Sequence, residues 1–173
     1  MSRPLCSGLI IATIGLLLAG CGGSQLTALH PFEQPLNHYQ NVCFSGEPMV
    51  AEDITEQLSD LEAEVIKQLN KLAMFETIML GTCSDSCVNT INVHAAITHI
   101  RKVSGAGRFF GGAFAGKASM TAEVTFSDAA TDNILGVYTI TGKSGGTGYS
   151  GGTESAVSRT AESIVKIIEE NYQ

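Results

Sequence analysis

The sequence predicts an α+β domain: a two-layer sandwich in which a mainly antiparallel sheet of four to five strands is packed by two helices, in the order β-α-β-β-β-β-α. Three observations carry that expectation. Apolar residues recur at helical spacing from Ile54 to Leu72, and again from Val157 to Ile168. Between them, Ile91–Thr98 and Met120–Ser127 alternate apolar and polar with the period of two that a half-buried strand requires.

The elements follow in chain order. Asn41 to Phe44 reads as a short first strand. Ile54, Leu58, Leu61, Val65, Leu69 and Leu72 then form one helical stripe, with acids early (Glu52, Asp53, Glu56) and lysines late (Lys67, Lys71), as the helix dipole favours. Phe75 to Leu80 is a second strand, stopped at Gly81. The third turns Ile91, Val93, Ala95 and Ile97 to one face and Asn92, His94, Ala96 and Thr98 to the other. The fourth places Met120, Ala122, Val124 and Phe126 inward and Thr121, Glu123, Thr125 and Ser127 outward. Asp128 to Asn133 supplies a tight connection to a fifth strand, Ile134 to Thr141. A glycine-rich stretch, Gly142 to Gly152, leads to a last helix from Thr153 to about Asn171. Meandering strands of this kind are half solvated, so the two amphipathic helices cover the other face.

The first twenty residues stand outside this domain. Arg3 precedes an apolar run from Gly8 to Leu18, shorter than the roughly 20 residues a membrane-spanning helix needs, so residues 1–20 read as a cleaved signal. Leu18-Ala19-Gly20-Cys21 resembles the lipobox of bacterial lipoproteins, an aliphatic and two small residues before a cysteine. That likeness implies a mature chain beginning at lipidated Cys21, held to a bilayer because each buried CH₂ contributes about 0.8 kcal/mol. Gly22, where an inner-membrane retention signal would place Asp, points to the outer membrane, with the domain facing the periplasm. Residues 21–38, rich in Gly, Ser and Gln and interrupted by Pro31 and Pro35, read as a lipidated flexible tether, and 39–173 as a single globular domain. His30 and His38 in the tether read as solvated.

Loss of Arg3 leaves nine Lys and Arg against seventeen Asp and Glu, a net charge of −8. Such a balance argues against nucleic acid and against electrostatic adhesion to anionic lipid, leaving the N-terminal lipid as the membrane contact. Cys6 departs with the signal and Cys21 carries lipid, so Cys43, Cys83 and Cys87 remain. In an oxidising envelope, Cys83 and Cys87 can close a short disulfide loop with Cys43 as a buried thiol, or Cys43 can pair with either. A zinc site using His94 is disfavoured, because C-x₃-C followed by one histidine matches no strong zinc pattern.

With these features in place, the chain resembles the bacterial lipoprotein family known as domain of unknown function 4410. The residues that carry the likeness are the lipobox, a strand ending near Arg101, a glycine-rich bend, the A-E-V-x-F-x-D-A strand from Ala122, and T-G-K-S-G-G-x-G from Thr141 before an Ala/Ile-rich helix. The resemblance spans roughly Tyr39 to Tyr172. It implies fold and location and assigns no catalytic residue.

Tests for chemistry find little. Thr141-Gly142-Lys143-Ser144 hints at a phosphate loop, but that motif needs glycine where Val137 stands and a helix directly after the lysine. Gly148-Tyr149-Ser150-Gly151-Gly152 spells G-x-S-x-G outside a strand–turn–helix setting, and no histidine follows His99. His94 and His99, five apart, fall on opposite faces of an undistorted strand. Asp128 and Asp132 flank a turn, where carboxylates cap backbone N–H groups. The expectation is therefore a non-enzyme without metal, cofactor or nucleotide: an envelope domain that binds a protein partner or supports an assembly. The alternative is a subunit of an oligomeric export or pore-type envelope complex, and an envelope enzyme comes third. Within Gly105–Gly116, Phe109, Phe110 and Phe114 either fold back over the core or meet a partner or the bilayer.

Overall fold

The computed structural model describes residues 23–83, 87–103, 116–145 and 152–173. Among the described residues, six strands and two helices follow in the order β1 (Ser24–His30), β2 (Asn41–Pro48), α1 (Thr55–Leu72), β3 (Thr77–Leu80), β4 (Thr90–Arg101), β5 (Ser119–Asp128), β6 (Ile134–Lys143) and α2 (Thr153–Asn171). The strands form one open sheet in the order β1-β6-β5-β4-β2-β3. Both helices lie on one face, giving the α+β two-layer sandwich. The sheet is mixed. The β1-β6-β5-β4 part is antiparallel, while β2 lies parallel to both β4 and β3 because α1 crosses over between β2 and β3.

The alternation read from the sequence sets the inner face. Val93, Ala95 and Ile97 of β4 stand opposite Phe126, Val124 and Ala122 of β5, and all are buried. Tyr138 and Ile140 extend the face onto β6. Leu61, Val65 and Leu69 of α1, spaced by four, cover the β2 side, and α2 covers β5 and β6 while packing on α1. Packed against both α1 and the sheet, α2 buries Thr160 and Ser163 along with its apolar residues. Their hydroxyls donate to the carbonyls of Ala156 and Arg159, both at 2.9 Å, so neither is left unpaired.

Two expectations need correction. The segment read as a flexible tether is built into the domain: Ser24–His30 pairs with β6 from Ser24↔Gly142 to His30↔Val137. Leu36 and Tyr39 are buried, and the Leu36 N–H donates to the Asn171 carbonyl at 2.7 Å, closing the linker against the end of α2. Prolines and glycines flanking Ser24–His30 masked a strand whose outward residues are all solvent-exposed, so no hydrophobic periodicity marked it. The second correction concerns β4. A bulge between Ile97 and His99 shifts the register by one residue, so His99 opposes Thr121 as His94 opposes Thr125. The two histidines therefore share the outer face.

Candidate functional site

Three features of the described residues combine exposure with chemistry: the outer face near β2, a cavity at one end of the sheet, and the two sheet edges.

On the outer face, Asn41, Cys43, Ser45 and Glu47 alternate along β2 beside Asn92 and His94 of β4. The turn after β3 folds over part of this face. Asn92 clamps it, its Oδ1 accepting the Cys83 N–H at 3.0 Å and its Nδ2 donating to the Cys83 carbonyl at 2.8 Å. Cys83 and Cys87 are joined by a disulfide, and Cys43 is a free thiol, 2% exposed, under the loop. Burial pushes its thiol pKa up, partly offset by a hydrogen bond from the Cys83 backbone, so it is a poor nucleophile.

Further along the same strands, Ser45 Oγ lies 3.1 Å from His94 Nδ1, and His94 Nε2 lies 3.1 Å from Glu47 Oε1. Thr82 Oγ1 adds a donor to Ser45 Oγ at 3.4 Å. The set is satisfied when Nε2–H donates to Glu47 and the serine hydroxyl donates to Nδ1. A serine on an imidazole is half of a nucleophile–base pair. Here, however, the His94 and Glu47 side chains are 41% and 50% exposed on an open sheet face, where solvent screens electrostatic assistance. The sequence reading missed this trio because it ended the first strand at Phe44. Continued to Pro48, the i, i+2 spacing of Ser45 and Glu47 puts them on one face. Among the described residues, no group of three or more His, Cys, Asp or Glu is placed to hold a metal.

At the opposite end of the sheet from Ser24, a cavity of about 360 Å³ is lined by His30, Phe32, Glu33, Leu36, His38 and Tyr39, with Ile134 at its rim. Phe32 packs on Phe126 and Tyr138, at centroid distances of 5.0 and 5.7 Å, so the floor is a fixed aromatic cluster. The cavity has the size of a small-ligand pocket, but the polar links of its lining are structural: Tyr39 donates its hydroxyl to Asp128 at 3.0 Å, and the Phe32 N–H donates to the Tyr138 hydroxyl at 3.3 Å. Burial and the Asp128 carboxylate push the Tyr39 phenol up to about 12. Burial works to raise Asp128, yet the Thr131 and Tyr39 hydroxyls and the Thr131 and Ala130 N–H groups outweigh it and hold the carboxyl below its ordinary value.

The two sheet edges are open. β1 is exposed along its length, with Leu26 and Leu29 large and apolar, and β3 at the other edge exposes Met79 and Leu80. Edge strands with unpaired backbone groups and apolar side chains are ready to add a further strand.

Cys21 and the residues Phe109, Phe110 and Phe114 lie outside the described residues. The lysine of the T-G-K-S stretch, Lys143, ends β6 with its Nζ on Gln25 Oε1 at 2.8 Å, and its glycine, Gly142, is packed under α2. Among the described residues, no helix is long and apolar enough to cross a membrane.

No curated protein matches the chain. Among solved structures, it is similar to the PelC dodecamer from Paraburkholderia phytofirmans, with a TM-score of 0.55 at 13% identity over 84% of this chain and 96% of that one. A point variant of the same PelC dodecamer gives a TM-score of 0.54 at 11% identity, over 83% and 96% of the two chains. At such identities the likeness is one of fold. The model of the family described as Domain of unknown function (DUF4410) matches residues 34–148, which run from the linker through β6 and the start of the glycine-rich stretch. The chain belongs to the DUF4410 family.

Proposed function

We propose that the chain is a lipid-anchored lipoprotein of the bacterial cell envelope, held at the outer membrane through Cys21 and facing the periplasm, and that its domain works by protein association without catalysis. The observation that carries the reading is the sheet open at both ends, with Leu26 and Leu29 exposed on β1 and Met79 and Leu80 on β3. Two different apolar edges on one chain suit a head-to-tail contact, and head-to-tail contacts close into rings when the rotation between neighbours allows. The polarity is right as well. Repeating the sheet side by side sets β1 of one copy antiparallel to β3 of the next, the favoured mode of strand addition.

The fold likeness to a protein crystallised as a dodecamer supports self-assembly as the specific form of this association, a subunit of an oligomeric export or pore-type complex. A domain that binds an unrelated envelope protein is the second reading, favoured by the cavity under Phe32 and Tyr39. Crosslinking in native envelopes separates them. A ladder of self-crosslinked products supports the oligomer, whereas a single product with another protein supports the second reading. The anchor is tested by fractionating cells that express Cys21→Ala: release from the membrane supports lipidation, and retention with the signal removed refutes it.

A further inference from the structure

We propose that the end of the domain nearest Cys21 rests on anionic phospholipid headgroups, with Arg101 and Lys143 as the principal contacts. This inference rests on the reading of Cys21 as the lipid attachment site. The free tether is short. The Gly23 carbonyl accepts the Lys143 N–H at 3.1 Å, and Ser24 pairs with Gly142, so only Gly22 separates Cys21 from sheet-bound chain. An extended chain spans at most about 3.6 Å per residue, so Cys21 lies within roughly 7 Å of Gly23. A lipid on Cys21 therefore brings the start of β1 and the ends of β4 and β6 down to the headgroup layer.

That end of the sheet carries positive charge. Ser119 of β5 pairs with Arg101 of β4 on one side and with Lys143 of β6 on the other. With strands about 4.8 Å apart, the backbones of Arg101 and Lys143 stand roughly 10 Å from each other with Ser119 between them. Gln25 Oε1 steadies the Lys143 ammonium at 2.8 Å. Gly116, at φ +78°, lets the Arg101 guanidinium lie against the backbone, since a Cβ there would fall 2.6 Å from Nη2. Lys102 and Lys117 flank the row, so half of the described Lys and Arg sit at this end of an acidic chain. The acids of the same end, Glu52, Asp53, Glu56 and Glu154, belong to the helix layer, where the Lys102 Nζ donates to the Asp53 carbonyl. The sheet layer, which holds the anchor through β1, is the cationic one. A net charge of −8 argues against general adhesion to anionic lipid; segregation of this kind permits local adhesion. Each basic side chain beside an anionic membrane raises the bound population by about fivefold, so the Arg101–Lys143 pair supplies about 25-fold.

The test uses the full lipidated protein in vesicles of phosphatidylcholine with about one-third phosphatidylglycerol, a fraction chosen to give an anionic surface. A fluorophore is attached through Ser24→Cys at the near end or Asn37→Cys at the far end, and a headgroup-linked quencher is added. Quenching several-fold stronger at position 24 than at position 37, and falling when salt is raised or Arg101→Gln/Lys143→Gln is introduced, supports the proposal. The charge-preserving pair Arg101→Lys/Lys143→Arg should keep the strong quenching, which separates lost contact from lost folding. Equal quenching at the two positions, or quenching indifferent to phosphatidylglycerol, overturns it. Intact mass on the same preparation reports the lipid: a chain without lipid refutes the anchor and with it this proposal, whereas a lipidated chain with equal quenching refutes this proposal alone.

Discussion

Gly142 of β6 lies directly beneath Thr160 of α2: a Cβ at Gly142 would come 2.8 Å from the Thr160 backbone nitrogen and closer still to the Ala156 carbonyl. Helix and sheet meet here backbone to backbone, and this packing accounts for the glycine of the T-G-K-S stretch. Gly142→Ala must push α2 off the sheet. Overpacking of this kind costs about 1–3 kcal/mol, read as a lower midpoint in urea with the slope unchanged. A stability equal to the parent's would contradict the close approach.

The Tyr39–Asp128 pair ties the linker to the β5–β6 turn and makes stability depend on pH at both extremes. The phenol is raised from 10.0 to about 12, so its contribution is fully present below about 10 and is lost as pH climbs toward about 12. The Asp128 carboxyl is lowered from 3.8, so its contribution is present above that value and fades as pH falls through the lower folded one. Melting temperature measured against pH should decline in both windows, and Tyr39→Phe should flatten the alkaline decline. Asp128→Ala, which strands the Ala130 and Thr131 N–H groups and the Tyr39 hydroxyl, should cost roughly 1–3 kcal/mol.

The loop over Cys43 is held by Asn92 and by the Cys83–Cys87 disulfide. Asn92→Ala leaves the Cys83 N–H and carbonyl without these partners, a loss of roughly 1–3 kcal/mol, which is about fivefold or more in the population of the open loop. Maleimide labelling of Cys43 in the native protein should be slow in the parent and at least about fivefold faster in Asn92→Ala. Equal rates would mean that the loop does not guard the thiol.

Charge on either sheet edge should block association without unfolding the domain. Leu26→Lys on β1 and Leu80→Lys on β3 replace exposed side chains, so stability should change by no more than about 0.5 kcal/mol. Each single variant should break a head-to-tail assembly, because every contact uses both edges. Sedimentation in mild detergent checks this: assembly surviving both substitutions rules out the edges as the interface.

The fold was legible where burial imposes a period. Met120, Ala122, Val124 and Phe126 alternate because one face of β5 meets α2 and the other meets water, and Leu61, Val65 and Leu69 recur by fours because α1 has one buried stripe. β1 was illegible for the converse reason. Its seven residues are exposed, so backbone pairing alone defines it, and composition made it look like tether. The parallel placement of β2 against β4 was equally hidden, since alternation gives faces without neighbours. His94 and His99 were misassigned because a bulge leaves no mark in the letters, and the Ser45–His94–Glu47 set depends on a strand extending past the point where its apolar residues stop.

The most direct test of assembly as the function is the mass of the full lipidated protein extracted from native envelopes in mild detergent. Association through the β1 and β3 edges predicts one species containing many copies of the chain, collapsing to single copies in Leu26→Lys. A parent protein that runs as a lipidated monomer, at concentrations matching those in the envelope, would contradict it.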